Sequence, residues 1–264
     1  MRIIVLSLAR ATERREKMKR QLEAAGLAFE LLDATDGRAL TEAERGLVDH
    51  GRRRRITPYP LTDNEIGCWL SHRRAMQSII ERGDKMAAIL EDDAEILPGF
   101  GAALEAIERQ AGPFDVVDLH RKFKRGEAFV PCRALSDGLS MGRVGAAHMG
   151  AIAYVMSREG AQKFLAYAKR FVHAVDKEMH RYWASGLDIY GLSEPMAVSN
   201  DGGHSFLDET RGHDRPAERP RYPGADGIYW RLWRRWSRLE DSVHKRLIWP
   251  GYVRMGKKRQ AAGT

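Results

Sequence analysis

The chain has 264 residues and a hydrophobic fraction of 43%, enough to bury a sizeable core in one large domain or two small ones. Its formal charge of +8 is unevenly placed: residues 228–264 hold ten Lys/Arg against two Asp/Glu, so the preceding body, with 34 of each, is neutral. That distribution argues against a nucleic-acid enzyme, whose basic surface surrounds its site, and no apolar stretch approaches the ~20 residues that span a bilayer.

Two cysteines, Cys68 and Cys132, form neither a disulfide framework nor a CxxC metal spacing, which points to a reducing compartment. The apolar run from Met1 to Leu8 is too short for the core and cleavage site of a signal peptide. A cytoplasmic location, peripheral to the membrane if near it at all, is the expectation.

In chain order, Arg2 to Leu8 (RIIVLSL) is β-branched and apolar, as a buried strand is. Thr12 is expected to cap a helix carrying Met18, Leu22 and Ala25, with Gly26 as its stop. Ala28 to Asp33 reads as a second strand, and strand–helix–strand favours a parallel sheet. Residues 36–60 look irregular, with Arg52 to Arg55 on an exposed, mobile loop. Thr62-Asp63-Asn64-Glu65 is a capping box, in which Thr62 caps an N–H and Glu65 reaches back. The helix behind it carries Ile66, Trp69, Leu70, Met76 and Ile80 and ends at Gly83. Met86 to Leu90 is another buried strand, followed by a short helix from Pro98-Gly99 to about Arg109. Asp115 to Leu119 is a strand, 121–149 a Gly- and Arg-rich loop, and Ala151 to Met156 a strand after which Ser157 caps a helix. Alternating strands and helices around one core give an α/β domain over residues 1–227. Residues 228–264 form a separate basic, Trp-rich tail. From Ile228 to Trp249 the residues Tyr229, Leu232, Trp233, Trp236, Leu239, Val243 and Leu247 share one helical arc. Arginines and a lysine share much of the other side. A basic face opposite a Trp/Leu face describes either an interfacial helix against an anionic membrane or a helix packed on the core.

The strongest chemical signal is Glu91-Asp92-Asp93, directly after the buried strand. Three adjacent carboxylates repel, and the carboxyl end of such a strand is where α/β sheets bind ligands. Mg²⁺ and Mn²⁺ take oxygen ligands and share them with substrate phosphates, so the triplet suits a diphosphate leaving group. A solvated acidic turn is the plain alternative.

Several segments then align with one family. Ile4 to Leu8 with Arg10, Arg14 and Arg15, the Asp33-Ala34-Thr35-Asp36-Gly37 turn, LTDNEIGCWLSH from Leu61 to His72, and ILEDD from Ile89 to Asp93 resemble glycosyltransferase family 25, as does Gly150 to Ala161 more weakly. The resemblance runs from residue 1 to about 200. It implies a GT-A-type, nucleotide-sugar-binding α/β fold with a mostly parallel central sheet, a UDP-sugar donor (UDP-galactose above all), inversion at the anomeric carbon, and a lipid-linked oligosaccharide acceptor such as lipooligosaccharide or lipopolysaccharide. The implied cofactor is a divalent metal, Mn²⁺ or else Mg²⁺, on Asp93 with Glu91 or Asp92 beside it and His204 as a late ligand.

Leu6, Ser7, Arg10, Arg14, Glu65, Ser71, His72 and Asp92 are the expected donor- and acceptor-binding residues. Glu65 also has its capping role, Ser71 a packing one, and a lone helical His such as His72 is often structural. Inversion needs a base for the acceptor hydroxyl, and Asp176, then Asp188, are the candidates, with Asp176 alternatively a helix cap. Cys68 reads as a small core residue. The competing view is a non-enzymatic membrane- or nucleic-acid-binding module acting through the tail, which leaves the acidic triplet of a neutral body unexplained.

Overall fold

The computed structural model describes residues 1–110, 112–120, 129–136, 138–144, 150–199, 221–223 and 227–261. Its centre is an eight-stranded sheet in the order β2-β1-β3-β8-β5-β9-β7-β6. The strands are β1 (Arg2–Ser7), β2 (Glu30–Asp33), β3 (Met86–Glu91), β5 (Val116–Asp118), β6 (Phe129–Ser136), β7 (Leu139–Val144), β8 (Ala153–Ser157) and β9 (Ile189–Leu192). β4 (Ala94–Ile96) and β10 (Ala197–Ser199) form a separate antiparallel pair. β1 is parallel to β2 and β3, and β5 to β9, while β8 and β7 are antiparallel to both of their neighbours. All strands of the large sheet except β8 and β7 therefore run one way, which makes it mostly parallel in direction. The carboxyl ends of β1, β3 and β5 consequently share one edge.

Two cores cover the sheet. On one face α1 (Thr12–Ala24) and α5 (Phe100–Gln110) bury Met18, Leu22, Phe100 and Ile107. On the other, α4 (Asp63–Arg82), α6 (Arg158–Tyr167), α7 (Val175–Met179) and α8 (Tyr182–Ser185) enclose Trp69. The Trp69 ring stacks on Phe171 at 4.4 Å and on Phe164 at 5.6 Å, an aromatic cluster that fixes α4 against α6. The capping box at the start of α4 is formed as expected, and Gly83 ends the helix in a left-handed conformation (φ 71°).

Local expectations fail in three places. The N-cap of α1 is Ala11, with no side-chain bond, and Thr12 lies inside the helix. Arg52 to Arg55 lie on α3 (His50–Ile56), and Arg53 is buried because its guanidinium donates to the carbonyls of Val172 (2.7 Å) and Tyr59 (2.9 Å). The segment preceding it holds a second capping box, Thr41–Glu44, on α2 (Glu42–Arg45). Within 121–149, β6 and β7 pair as a hairpin; register shifts between Pro131 and Arg133 and between Ala134 and Ser136 break the alternation that would mark β6 in the sequence.

The last helix, α9 (Ile228–Ala261), continues through Pro250. Its later part joins the core: Ile248 and Trp249 pack on it, and Tyr252 is 5% exposed. The earlier part leaves Leu232, Trp233, Trp236, Leu239, Val243 and Leu247 between 43% and 73% exposed. Among the described residues no helix is long and apolar enough to cross a membrane.

Candidate active site

A cleft of about 650 Å³ opens where β1 and β3 end and α4 begins. β1 delivers Leu6 and Ser7 to it, the segment after β1 delivers Arg10 and Arg14, α4 delivers Asn64, Cys68, Ser71 and His72, and the end of β3 delivers Glu91, Asp92 and Asp93. Nine residues chosen from the sequence, Leu6, Ser7, Arg10, Arg14, Ser71, His72, Glu91, Asp92 and Asp93, thus meet at one place although they come from three separate segments.

Close backbone approach builds the wall. A Cβ on Gly67 would stand 2.6 Å from the Thr35 carbonyl oxygen, and one on Gly37 would stand 2.7 Å from that of Asp63. Only glycine lets the Thr35–Gly37 turn lie directly on the first turns of α4. Ser71 secures the contact, accepting from the Thr35 amide (2.8 Å) and donating to the Gly67 carbonyl (2.7 Å). Arg10 donates to Asp36 at 2.9 Å, and that bond, with the amide of Arg38, holds the Asp36 carboxyl below its ordinary range. Arg15 is spent on the backbone of β1, donating to the carbonyls of Ser7 (2.8 Å) and Leu8 (3.0 Å).

The three carboxylates have different surroundings. Asp92 accepts from Ser7 Oγ at 2.6 Å and pairs with Arg14 at 3.3 Å. Burial nonetheless raises its pKa, helped by the Glu91 charge and opposed by Ser7 and Arg14. Glu91 lies 2.9 Å from His72 Nε2, while His72 Nδ1 lies 2.8 Å from the Tyr154 hydroxyl. Burial, then the Glu91 charge, push the Tyr154 phenol well up, so it stays neutral. Asp93 lines the cleft. Hard carboxylate oxygens gathered at the mouth of a cleft fit a divalent ion that shares its coordination with phosphate oxygens.

The remaining candidates lie elsewhere. Glu65 is buried in the capping box, its carboxylate accepting from the Thr62 amide at 2.8 Å, and it is not among the residues lining the cleft. Asp188 does not reach the cleft. It precedes β9, which runs in the same direction as β3, so it lies at the opposite edge of the sheet. There it pairs with buried Arg143, and its amide donates to Asp115 at 2.8 Å. Asp176 stands on the cleft's side of the sheet. Its carboxylate accepts from the Gly150 amide at 2.9 Å, and Ile152, two residues on, accepts from the Glu91 amide at 2.8 Å. It lies inside α7, whose N-cap is Ala174. His204 lies outside the described residues.

The sequence reading missed two features of this edge. Cys68 is not a core residue but half-buried in the cleft wall. Asp118, the last residue of β5, is buried and lies 3.2 Å from His180 Nε2. Burial disfavours charge on His180, yet the Asp118 hydrogen bond and charge outweigh it and raise the imidazole pKa. The signal was available: Asp118 ends an apolar strand just as Glu91 does.

Comparison with known proteins agrees with this geometry. The family model described as "Glycosyltransferase family 25 (LPS biosynthesis protein)" matches residues 1–179. Similar curated proteins include a Drosophila melanogaster glycosyltransferase 25 family member (34% identity over 178 residues), a Bos taurus probable inactive glycosyltransferase 25 family member 3 (30% over 172), and Danio rerio procollagen galactosyltransferase 1 (29% over 178). Each match covers 62% of this chain but only 28% of the relative's length. On the family model and the site together, the chain belongs to glycosyltransferase family 25.

Proposed function

We propose that this chain is an inverting, metal-dependent glycosyltransferase that moves a hexose, galactose first among the candidates, from a UDP-sugar to a lipooligosaccharide, lipopolysaccharide or related glycan. Family membership alone does not carry activity, since one of the relatives above is named inactive. The observation that carries it is the convergence of Glu91, Asp92 and Asp93 with Ser7, Arg10 and Arg14 in a single cleft.

Asp93 would hold a divalent ion, Mn²⁺ or Mg²⁺, which when bound neutralises charge on a departing diphosphate. The residues of the chain do the rest. Arg10 and Arg14 sit at the cleft mouth, where guanidinium forks suit diphosphate oxygens. Asp92, fixed by Ser7 and Arg14, presents acceptor oxygens for donor hydroxyls. Asp176 is proposed as the base that takes the proton of the acceptor hydroxyl, because its carboxylate lies at the same sheet edge, beside the Gly150–Ile152 segment that borders Glu91. The exposed Leu232, Trp236, Leu239, Val243 and Leu247, on a helix rich in arginine, are suited to an anionic membrane surface through residues 228–249, where a lipid-linked acceptor resides.

A panel of UDP-sugars with Mn²⁺, scored by UDP release, tests the proposal. One donor is expected to turn over, and Asp93→Asn to lower the rate at least ~10²-fold, the scale of losing one electrostatic stabiliser. Turnover indifferent to both EDTA and Asp93→Asn would refute the metal assignment. A folded protein that releases UDP from no donor would refute the enzyme.

A further inference from the structure

We propose that Cys68, His72 and Glu91 form a binding site for one thiophilic divalent cation such as Zn²⁺, separate from the ion proposed for the diphosphate. Cys68 and His72 stand four residues apart on α4, so their side chains leave the same face of the helix. That face meets the end of β3. Glu91 Oε1 lies 2.9 Å from His72 Nε2 and 3.8 Å from Cys68 Sγ, and the three ligand atoms all lie within 4.8 Å of one another. Tetrahedral zinc, about 2.3 Å from sulfur and about 2.0 Å from nitrogen or oxygen, needs ligand atoms roughly 3.3–3.6 Å apart. The two Glu91 separations lie within a few tenths of an ångström of that spacing, one shorter and one longer.

A second observation points the same way. Metal-bound histidine is normally oriented by a partner on its other nitrogen, and here Tyr154 Oη lies 2.8 Å from His72 Nδ1, with the two rings stacked at 5.7 Å. His72 is fully buried, whereas Cys68 and Glu91 are half-buried and line the cleft. Three protein ligands with the fourth position facing a cleft is the arrangement of an open zinc site. A thiolate selects zinc over Mg²⁺ or Mn²⁺, which prefer oxygen. Asp92 is engaged by Ser7 and Arg14, on the β1 side of the cleft. The acidic motif is thereby divided: Glu91 faces α4, and Asp93 is left for the diphosphate.

The proton balance is simple. Without the ion, His72 Nε2–H donates to the Glu91 carboxylate. On binding, the Cys68 thiol loses its proton to solvent, and the thiolate, imidazole and carboxylate take the ion. The imidazole proton then resides on Nδ1, facing Tyr154. One proton is released per ion.

The test uses the full chain, stripped with chelator and titrated with Co²⁺ by absorption and with Zn²⁺ by calorimetry in buffers of different ionisation enthalpy. One equivalent should bind, with a thiolate-to-cobalt charge-transfer band and about one proton released near neutral pH. Cys68→Ala should abolish the band, and Tyr154→Phe should weaken binding 10–100-fold, by about the cost of losing an orienting partner. Cys132→Ala and Asp93→Asn should leave both unchanged. Binding that Cys68→Ala retains, or no binding at all, overturns the proposal. Binding lost in Asp93→Asn but kept in Cys68→Ala also overturns it, placing the ion at the acidic motif. UDP release is measured separately, so this site and the transferase reading can fail independently.

Discussion

Tyr252 makes α9 part of the fold, and removing its side chain should be costly. Its hydroxyl donates to the Ile189 carbonyl (2.8 Å) and accepts from the Ile189 amide, both at the start of β9. Its ring stacks on Tyr182 at 4.2 Å and covers Arg143, whose guanidinium is sandwiched between Tyr252 (3.9 Å) and Tyr190 (3.8 Å) while it pairs with Asp188. Tyr252→Phe keeps the ring but leaves the Ile189 amide buried without its acceptor, a cost of about 1–3 kcal/mol. Tyr252→Ala adds the loss of a buried aromatic ring, about 3–5 kcal/mol. Together these approach the whole stability of a marginal domain, about 5–15 kcal/mol. By contrast, Leu232→Ser and Trp236→Ser, on the exposed part of the same helix, should move stability by no more than about 0.5 kcal/mol. Urea unfolding followed by tryptophan fluorescence gives all four values. If Tyr252→Ala costs less than ~1 kcal/mol, α9 is not held by this side chain and the docking described above is wrong.

Trp236→Ser combined with Leu239→Ser should abolish binding to anionic vesicles while leaving UDP release in solution intact; vesicle binding that survives places the membrane contact elsewhere. Asp92→Asn should raise the melting temperature at neutral pH even as it impairs turnover. The Asp92 pKa is raised in the native state, so ionisation costs stability as pH rises through that value. The advantage of the variant should therefore shrink as pH falls towards the ordinary 3.8. His173 is held neutral by burial and by the nearby charges of Lys177 and Arg181, its pKa pushed from 6.5 down to about 2. Its contribution to stability is complete above 6.5 and is lost as pH falls below it, when only the unfolded chain takes up the proton. His173→Phe should flatten the acid limb of the stability–pH curve, and an unchanged limb would refute the assignment. Glu65→Ala should cost about 1–3 kcal/mol of stability by leaving the Thr62 amide without its acceptor, with KM for the donor unchanged, because Glu65 caps α4 and does not line the cleft.

The parts of the fold legible in the sequence are those where local chemistry and tertiary context agree. β1 and β3 are apolar because both of their faces are covered, and the α4 capping box is a local hydrogen-bonding device that needs no distant partner. The hairpin β6–β7 was not legible, since its bulges break the period-two pattern. Neither was the burial of Arg53, which depends on carbonyls of Val172 and Tyr59 that only the tertiary fold brings near. The cleft was legible through its strand-end carboxylates and its resemblance to a family. Asp188 shows the limit of that approach: its residue type suited a base, but only strand direction reveals that it stands on the far edge of the sheet.

The same distinction runs through the LTDNEIGCWLSH stretch that carries the family resemblance. Thr62 and Glu65 cap the helix, Ile66, Trp69 and Leu70 fill the core, and Gly67 and Ser71 seat the Thr35–Gly37 turn. Cys68 and His72 also reach towards the acidic motif, through Glu91. Most of the signature therefore specifies the wall of the cleft rather than the chemistry inside it. A chain could keep those positions, and with them the fold, after losing its activity. The residues that test for a working transferase are the carboxylates concentrated at a buried strand's end, where Asp92 remains costly to ionise despite Ser7 and Arg14.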